Sequence, residues 1–178
     1  LRVRPRFYES HVQTLVSPLM PLFDVTGVNF LRGTVEQILP ASKEVSWKDE
    51  NGEVRLRRYD RLVLASGSHV NRDIVAGAAE HAFDLDQLES AAALEQHLKD
   101  LAGQPESNAR NTVVVCGGGF TGIEMALELP GRLREILGED AKTRVVVVER
   151  GAQPGGRWSQ ELRDVIIEAS AELGVEWL

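Results

Sequence analysis

Residues 113–124 read VVVCGGGFTGIE. A run of β-branched residues passes straight into glycines, and the glycines open an apolar, helix-forming segment. Val113, Val114 and Val115 suit a strand buried on both faces. Gly117, Gly118, Gly119, Phe120, Thr121 and Gly122 then satisfy the spacing G-x-G-x-x-G. Taken alone the spacing is a weak signal, because glycine turns are common. Here a strand precedes it, a helix follows it, and the next strand, within residues 143–150 (TRVVVVER), ends in acidic Glu149. That is the context a dinucleotide-binding βαβ unit requires.

Each part has a mechanical reason. Gly117 permits the tight strand-to-helix turn, Gly119 lets the backbone approach a pyrophosphate, and Gly122 lets helix and strand pack closely. The N–H groups of the first helical turn and the positive end of the helix dipole face the anion. Glu149 is expected to accept hydrogen bonds from both ribose hydroxyls of the adenosine and to repel a 2′-phosphate, which favours NAD(H) over NADP(H). Arg150 pulls the other way, since an arginine can contact a 2′-phosphate. Glu149 lies 27 residues beyond Gly122, where about 20 is usual; residues 130–142 (PGRLREILGEDAK) account for the excess. The competing account is a turn whose glycines serve packing only.

Glu124 has two readings. It stabilises the helix N-terminus as a carboxylate near the positive dipole end, or it faces the nicotinamide as a catalytic carboxylate that tunes hydride transfer. Cys116, at the strand end among apolar residues, reads as a buried structural cysteine.

Composition narrows the classes. The chain has 178 residues, 43% of them hydrophobic, enough for one substantial core or two small ones. Lys and Arg number 20 against 27 Asp and Glu, a net charge of -7, so no nucleic-acid partner is expected, although Arg2, Arg4 and Arg6 cluster at the start. One cysteine excludes an intrachain disulfide and a CxxC pair within these residues, and it fits a reducing, cytoplasmic setting. His11, His69, His81 and His97 have no metal-ligand spacing, so no metal is expected. No apolar run approaches the ~20 residues of a spanning helix. The start, LRVRPRFYES, lacks an initiator Met, and the chain is expected to belong to something longer.

Along the chain, residues 28–39, 44–48 and 53–58 partly alternate apolar and polar residues, and DENG (49–52) marks a turn. They predict an antiparallel meander. Residues 61–66 (RLVLAS) predict a buried strand ended by Gly67. From Asp84 the period becomes helical, with Leu88, Ala91, Ala92, Leu94, Leu98 and Leu101 on one face. A polar linker (104–111), a strand (112–117), a helix broken into two pieces by a kink at Pro130, a second strand, and a helix capped by Ser159 follow. Residues 175–178 (VEWL) begin a third strand. The fold class is α/β: a Rossmann-like βαβ unit joined to an antiparallel β-meander.

The linear order of meander, YDRLVLASGS (59–68), helix and CGGGFTGIE (116–124) resembles the two-dinucleotide-binding-domain flavoproteins, the pyridine nucleotide-disulfide oxidoreductase superfamily. Within it the pattern is most similar to type II NADH:quinone oxidoreductases and NADH dehydrogenase-like proteins. The resemblance runs from about Gly27 onward, with Ser66 where Thr is usual and Ala76-Gly77 where Pro-Gly is common. It implies a partial FAD-binding domain over residues 1–83 and a partial NAD(H)-binding domain over 84–178. The backbone at Ala65, Ser66 and Gly67 and the main chain of Val35 would then contact FAD. The implied activity passes hydride from NADH to FAD and electrons on to a quinone-like acceptor, in the cytoplasm or peripherally at the inner face of the membrane. Any membrane contact is expected through segments outside these residues. The family's first βαβ unit and last flavin-contacting segment also lie outside them, so this chain alone is expected to be inactive and prone to self-association. An NAD-binding redox-sensing module without catalysis is the alternative.

Overall fold

The computed structural model describes residues 17–67, 69–155 and 158–178. The cluster Arg2, Arg4, Arg6, together with His11 and Ser68, lies outside the described residues. The chain divides into two compact units, one reaching to about residue 68 and one from His69 onward.

In the first unit a short helix, α1 (Met20–Thr26), precedes an antiparallel sheet of β1 (Gly33–Leu39), β2 (Glu44–Asp49) and β3 (Val54–Arg58), in that order. The meander is as the alternation predicts, though its first strand begins at Gly33 rather than Val28. Gly33 has no room for a β-carbon, which would overlap the Lys48 carbonyl oxygen and the Trp47 ring on β2. The DENG turn forms because Asp49 Oδ1 accepts the N–H groups of Asn51 and Glu53 at 2.9 and 3.0 Å, the local capping that suits Asp to turns. Helix α1 carries no strong apolar periodicity, and the sequence did not announce it.

Residues 61–66 do not form the predicted strand. Their backbone is irregular, and Val63 is 85% exposed. A strand buried on both faces exists only when neighbours pair with it, and no described strand does so.

The second unit is built on a parallel sheet in the order β4 (Thr112–Cys116), β5 (Arg144–Val148), β6 (Val175–Trp177). Helix α5 (Phe120–Leu137) crosses from β4 to β5, and α6 (Gln160–Leu173) crosses from β5 to β6. Ser159 caps α6 as expected, its hydroxyl oxygen accepting the Leu162 N–H at 3.4 Å. Ahead of the sheet come two short turns of helix, α2 (Ala78–His81) and α4 (Asn108–Asn111), and between them α3 (Leu88–Asp100). Helix α3 buries Leu88, Ala91, Leu94 and Leu98 as the period predicts. The polar linker thus holds a helical turn, capped by Ser107. Residues 69–83 group with this unit, tied to the start of α3 by a hydrogen-bonded ion pair between Arg72 and Asp84.

Helix α5 runs through Pro130 as one element rather than two pieces. A proline in a helix interior costs about 3 kcal/mol or more. Leu129 and Leu133, both 0% exposed, flank it, and burying each such side chain contributes about 1.5–3 kcal/mol. With Ile123 and Ala126 on the same buried face, packing outweighs the lost hydrogen bond.

Leu133→Ala should therefore destabilise the second unit by about 2–5 kcal/mol, read as a lower urea midpoint. Val63→Ala should change stability by no more than about 0.5 kcal/mol.

Candidate dinucleotide site

At the end of β4 the chain turns sharply at Gly117, whose φ of 105° is a left-handed conformation that favours glycine. Its N–H donates to the Val148 carbonyl oxygen at 2.9 Å, carrying the β4–β5 ladder one step into the loop. One turn later Gly122 packs so close that a β-carbon would overlap the Gly117 carbonyl oxygen. The first and last glycines thus do what their spacing predicts.

Gly119 differs from both. It is the N-cap of α5, with extended backbone and no side-chain cap, and nothing lies within 4 Å of where its β-carbon would be. The open space faces the start of an 18-residue helix whose first N–H groups have no intrahelical acceptor. A helix N-terminus without a side-chain cap is a place where anions bind, and no atom obstructs the approach at Gly119. Phe120 stands at its rim, 66% exposed, edge to face with Trp158 at a centroid distance of 6.2 Å. Thr121 and Glu124 are half-buried on α5.

Glu149 follows β5 directly. Its Oε2 accepts the Gly118 N–H at 2.6 Å and its Oε1 accepts the Gly151 N–H at 2.8 Å. These two bonds, Gly151 first, hold its carboxyl below the ordinary glutamate range, with the Arg150 charge adding to them. A carboxylate offers about four lone-pair sites; the Gly118 and Gly151 amides use two, and the Arg150 backbone N–H adds a smaller contact. The acid predicted to read ribose therefore also fastens the glycine loop. Arg150 beside it is exposed.

Two partners escaped the sequence. Gly151 follows the acid in an unremarkable GAQPGG run, and Trp177, at the end of β6, stands against Gly118. Nothing local in the sequence joins Trp177 to Gly118; the parallel register that sets Trp177 beside Val147 does so. Cys116 corrects an expectation: it is exposed, because at the open end of a strand the side chain leaves the sheet's covered face.

The residues expected to contact FAD lie in the first unit. Val35 is 58% exposed beside a β-bulge in β1, and Ala65, Ser66 and Gly67 are exposed in irregular backbone. Gly67 is left-handed, with open space where a β-carbon would be. Among the described residues no group of three or more His, Cys, Asp or Glu could hold a metal ion, and no helix is long and apolar enough to cross a membrane.

Residues 11–178 match the pyridine nucleotide-disulphide oxidoreductase family. The chain belongs to that family. A NADH dehydrogenase-like protein of Mycobacterium tuberculosis is 39% identical over 176 residues, 98% of this chain and 43% of the relative. A type II NADH:quinone oxidoreductase of Staphylococcus haemolyticus is 28% identical over 174 residues, 93% of this chain and 42% of the relative. The chain thus spans about two-fifths of the length of these curated relatives. The fold also matches the solved structure of NDH2 from Plasmodium falciparum in complex with NADH, with a TM-score of 0.68 and 21% identity over 84% of this chain and 33% of that one. This pyridine nucleotide-disulphide oxidoreductase chain therefore shares the α/β fold its sequence predicts.

The lowered Glu149 pKa fixes a pH dependence for the loop. A group whose folded pKa is depressed contributes stability that is present above its unfolded pKa and lost as pH falls through the folded one. The Gly118 and Gly151 amides should stay protected from hydrogen exchange at neutral pH and lose their protection only below the ordinary glutamate range. Protection that disappears already near neutrality would contradict the latch.

Proposed function

We propose that this chain is the NADH-binding portion of an FAD-dependent oxidoreductase, which passes hydride from NADH to FAD and electrons on to a quinone-like acceptor. The observation that carries the reading is the space at Gly119. It opens on uncapped helix N–H groups, and a carboxylate is fixed beside the same loop. Membership of the family and likeness to NADH dehydrogenase-like relatives support the choice of nucleotide and acceptor.

In this account the N–H groups at Gly119, Phe120 and Thr121 donate to the pyrophosphate oxygens. Glu149, already ordered by Gly118 and Gly151, accepts from the ribose hydroxyls with its remaining lone pairs. Its negative charge disfavours a 2′-phosphate, and the exposed Arg150 guanidinium tempers the bias. Glu124, half-buried on α5 beyond the loop, supplies the carboxylate on the nicotinamide side. In the first unit the main chain of Val35 and the backbone at Ala65, Ser66 and Gly67 offer contacts to FAD, and the left-handed, open Gly67 suits close approach. FAD, when bound, supplies the hydride acceptor and the electron relay, while the protein supplies orientation and electrostatics. Residues 1–83 serve the flavin side and 84–178 the nicotinamide side. A quinone is a lipid-phase acceptor, so the whole protein is assigned to the cytoplasm, working peripherally at the membrane's inner face.

Calorimetric titration tests the assignment. The protein should bind NADH well and NADPH poorly. Glu149→Ala should narrow the gap chiefly by weakening NADH, each lost charge-assisted hydrogen bond costing about 1.5–3 kcal/mol. Gly119→Val should abolish binding of both with the fold preserved, because its branched side chain fills the pyrophosphate space. Equal affinity of the unmutated protein for NADH and NADPH would remove the ribose role from Glu149. Full affinity in folded Gly119→Val would make the loop a packing turn.

A further inference from the structure

We propose that Trp177 is a positioning residue for the dinucleotide, its indole holding Gly118, and through Gly118 the Glu149 carboxylate, in the arrangement that reads the adenosine ribose. The inference rests on the NADH reading above and names what keeps its key carboxylate in place.

Trp177 is the last residue of β6 and stands in parallel register with Val147, two positions before Glu149. The backbone stitches the same corner. The Leu178 N–H donates to the Val147 carbonyl oxygen at 2.9 Å, and the Glu149 N–H donates to the Leu178 carbonyl oxygen at 2.8 Å. Glu149 is thereby fixed from behind by the strand end that carries Trp177.

The indole then reaches across to the glycine loop. A β-carbon at Gly118 would lie 2.8 Å from Cζ3 and 3.4 Å from Cη2 of Trp177, and 3.0 Å from Oε2 of Glu149. Gly118 is enclosed by the aromatic ring and by the carboxylate that accepts its N–H. If the ring moved away, the loop could shift and the carboxylate would lose its anchor at Oε2.

The residue type is otherwise unexplained. Trp177 packs against the core of the unit, a role that does not by itself require an indole. Its indole N–H is buried with no hydrogen-bond partner among the described residues, and an unpaired buried donor is unfavourable. Among the described residues no polar contact holds tryptophan at this position. What tryptophan adds over a small aliphatic residue is the reach of its six-membered ring to Gly118. A rigid side chain that fixes the carboxylate before ligand arrives reduces the ordering cost of binding.

The test uses the full chain with Trp177→Leu and Trp177→Phe, each checked for native circular dichroism. Two quantities are read: hydrogen exchange of the Gly118 amide without nucleotide, and calorimetric affinity for NADH and NADPH. Trp177→Leu should speed Gly118 exchange and weaken NADH about tenfold, which is about 1.4 kcal/mol, while changing NADPH less, so the preference shrinks. Trp177→Phe, which keeps an aromatic ring toward Gly118, should retain most of both. Gly118→Ala should weaken NADH in the native background and add little to Trp177→Leu, the non-additivity expected of groups in contact. A folded Trp177→Leu protein with unchanged Gly118 protection and an unchanged NADH-to-NADPH ratio overturns the proposal. If Gly118 loses protection in Trp177→Leu but the unmutated protein does not distinguish NADH from NADPH, the positioning stands and the ribose reading fails.

Discussion

The approach of Gly122 to the carbonyl oxygen of Gly117 governs the second unit, because a β-carbon there would overlap that oxygen. With no side chain between them, α5 can begin immediately over the end of β4 and bring its N-terminus to the mouth of the sheet. The buried face of α5 then falls on β5, where Leu129 and Leu133 are fully enclosed and Val147 completes the core. The first turn of α5 starts at Gly119 without a side-chain cap, and nothing lies within 4 Å of where a β-carbon there would be. Close packing of helix on strand and an N-terminus without a side-chain cap are thus two results of one steric constraint.

Glu149 adds the electrostatic half. Its carboxylate joins the turn after β4 to the turn after β5 through the amides of Gly118 and Gly151, so the acid is positioned by backbone groups, which cannot swing away as side chains can. A carboxylate so held stays ionised and presents its remaining lone pairs in a fixed direction. In the proposed reading this suits discrimination by charge and hydrogen bonding at one end of a dinucleotide.

Much of this was legible in the sequence where the determinants are local. The glycine spacing, the strand character of the valine runs, the acid after the second run, the α3 period and the Ser159 cap each act within a few residues and appear in place, but β4 is covered on one face only, Val114 being 55% exposed where burial on both faces was expected. What was not legible depends on distant partners. Residues 61–66 have strand-like composition, yet composition cannot supply the neighbouring strands that would make Val63 and Leu64 buried, and both are exposed. Pro130 reads as a break, yet the core around Leu129 and Leu133 holds α5 continuous. Cys116 reads as buried from its apolar neighbours, but its place at the strand's open end exposes it. Trp177 and Gly118 lie 59 positions apart in sequence, and only the parallel register of β5 with β6 brings them together.

The claim that joins these observations is that the space at Gly119 receives the pyrophosphate while Glu149 reads the ribose. Backbone amide chemical shifts followed through a titration with NADH test it most directly. The account predicts saturable shifts that are largest at Gly119, Phe120 and Thr121, with accompanying changes at Gly118 and Gly151, the two amides that hold the Glu149 carboxylate. Saturation with NADH that leaves these five amides unmoved while others shift would contradict it.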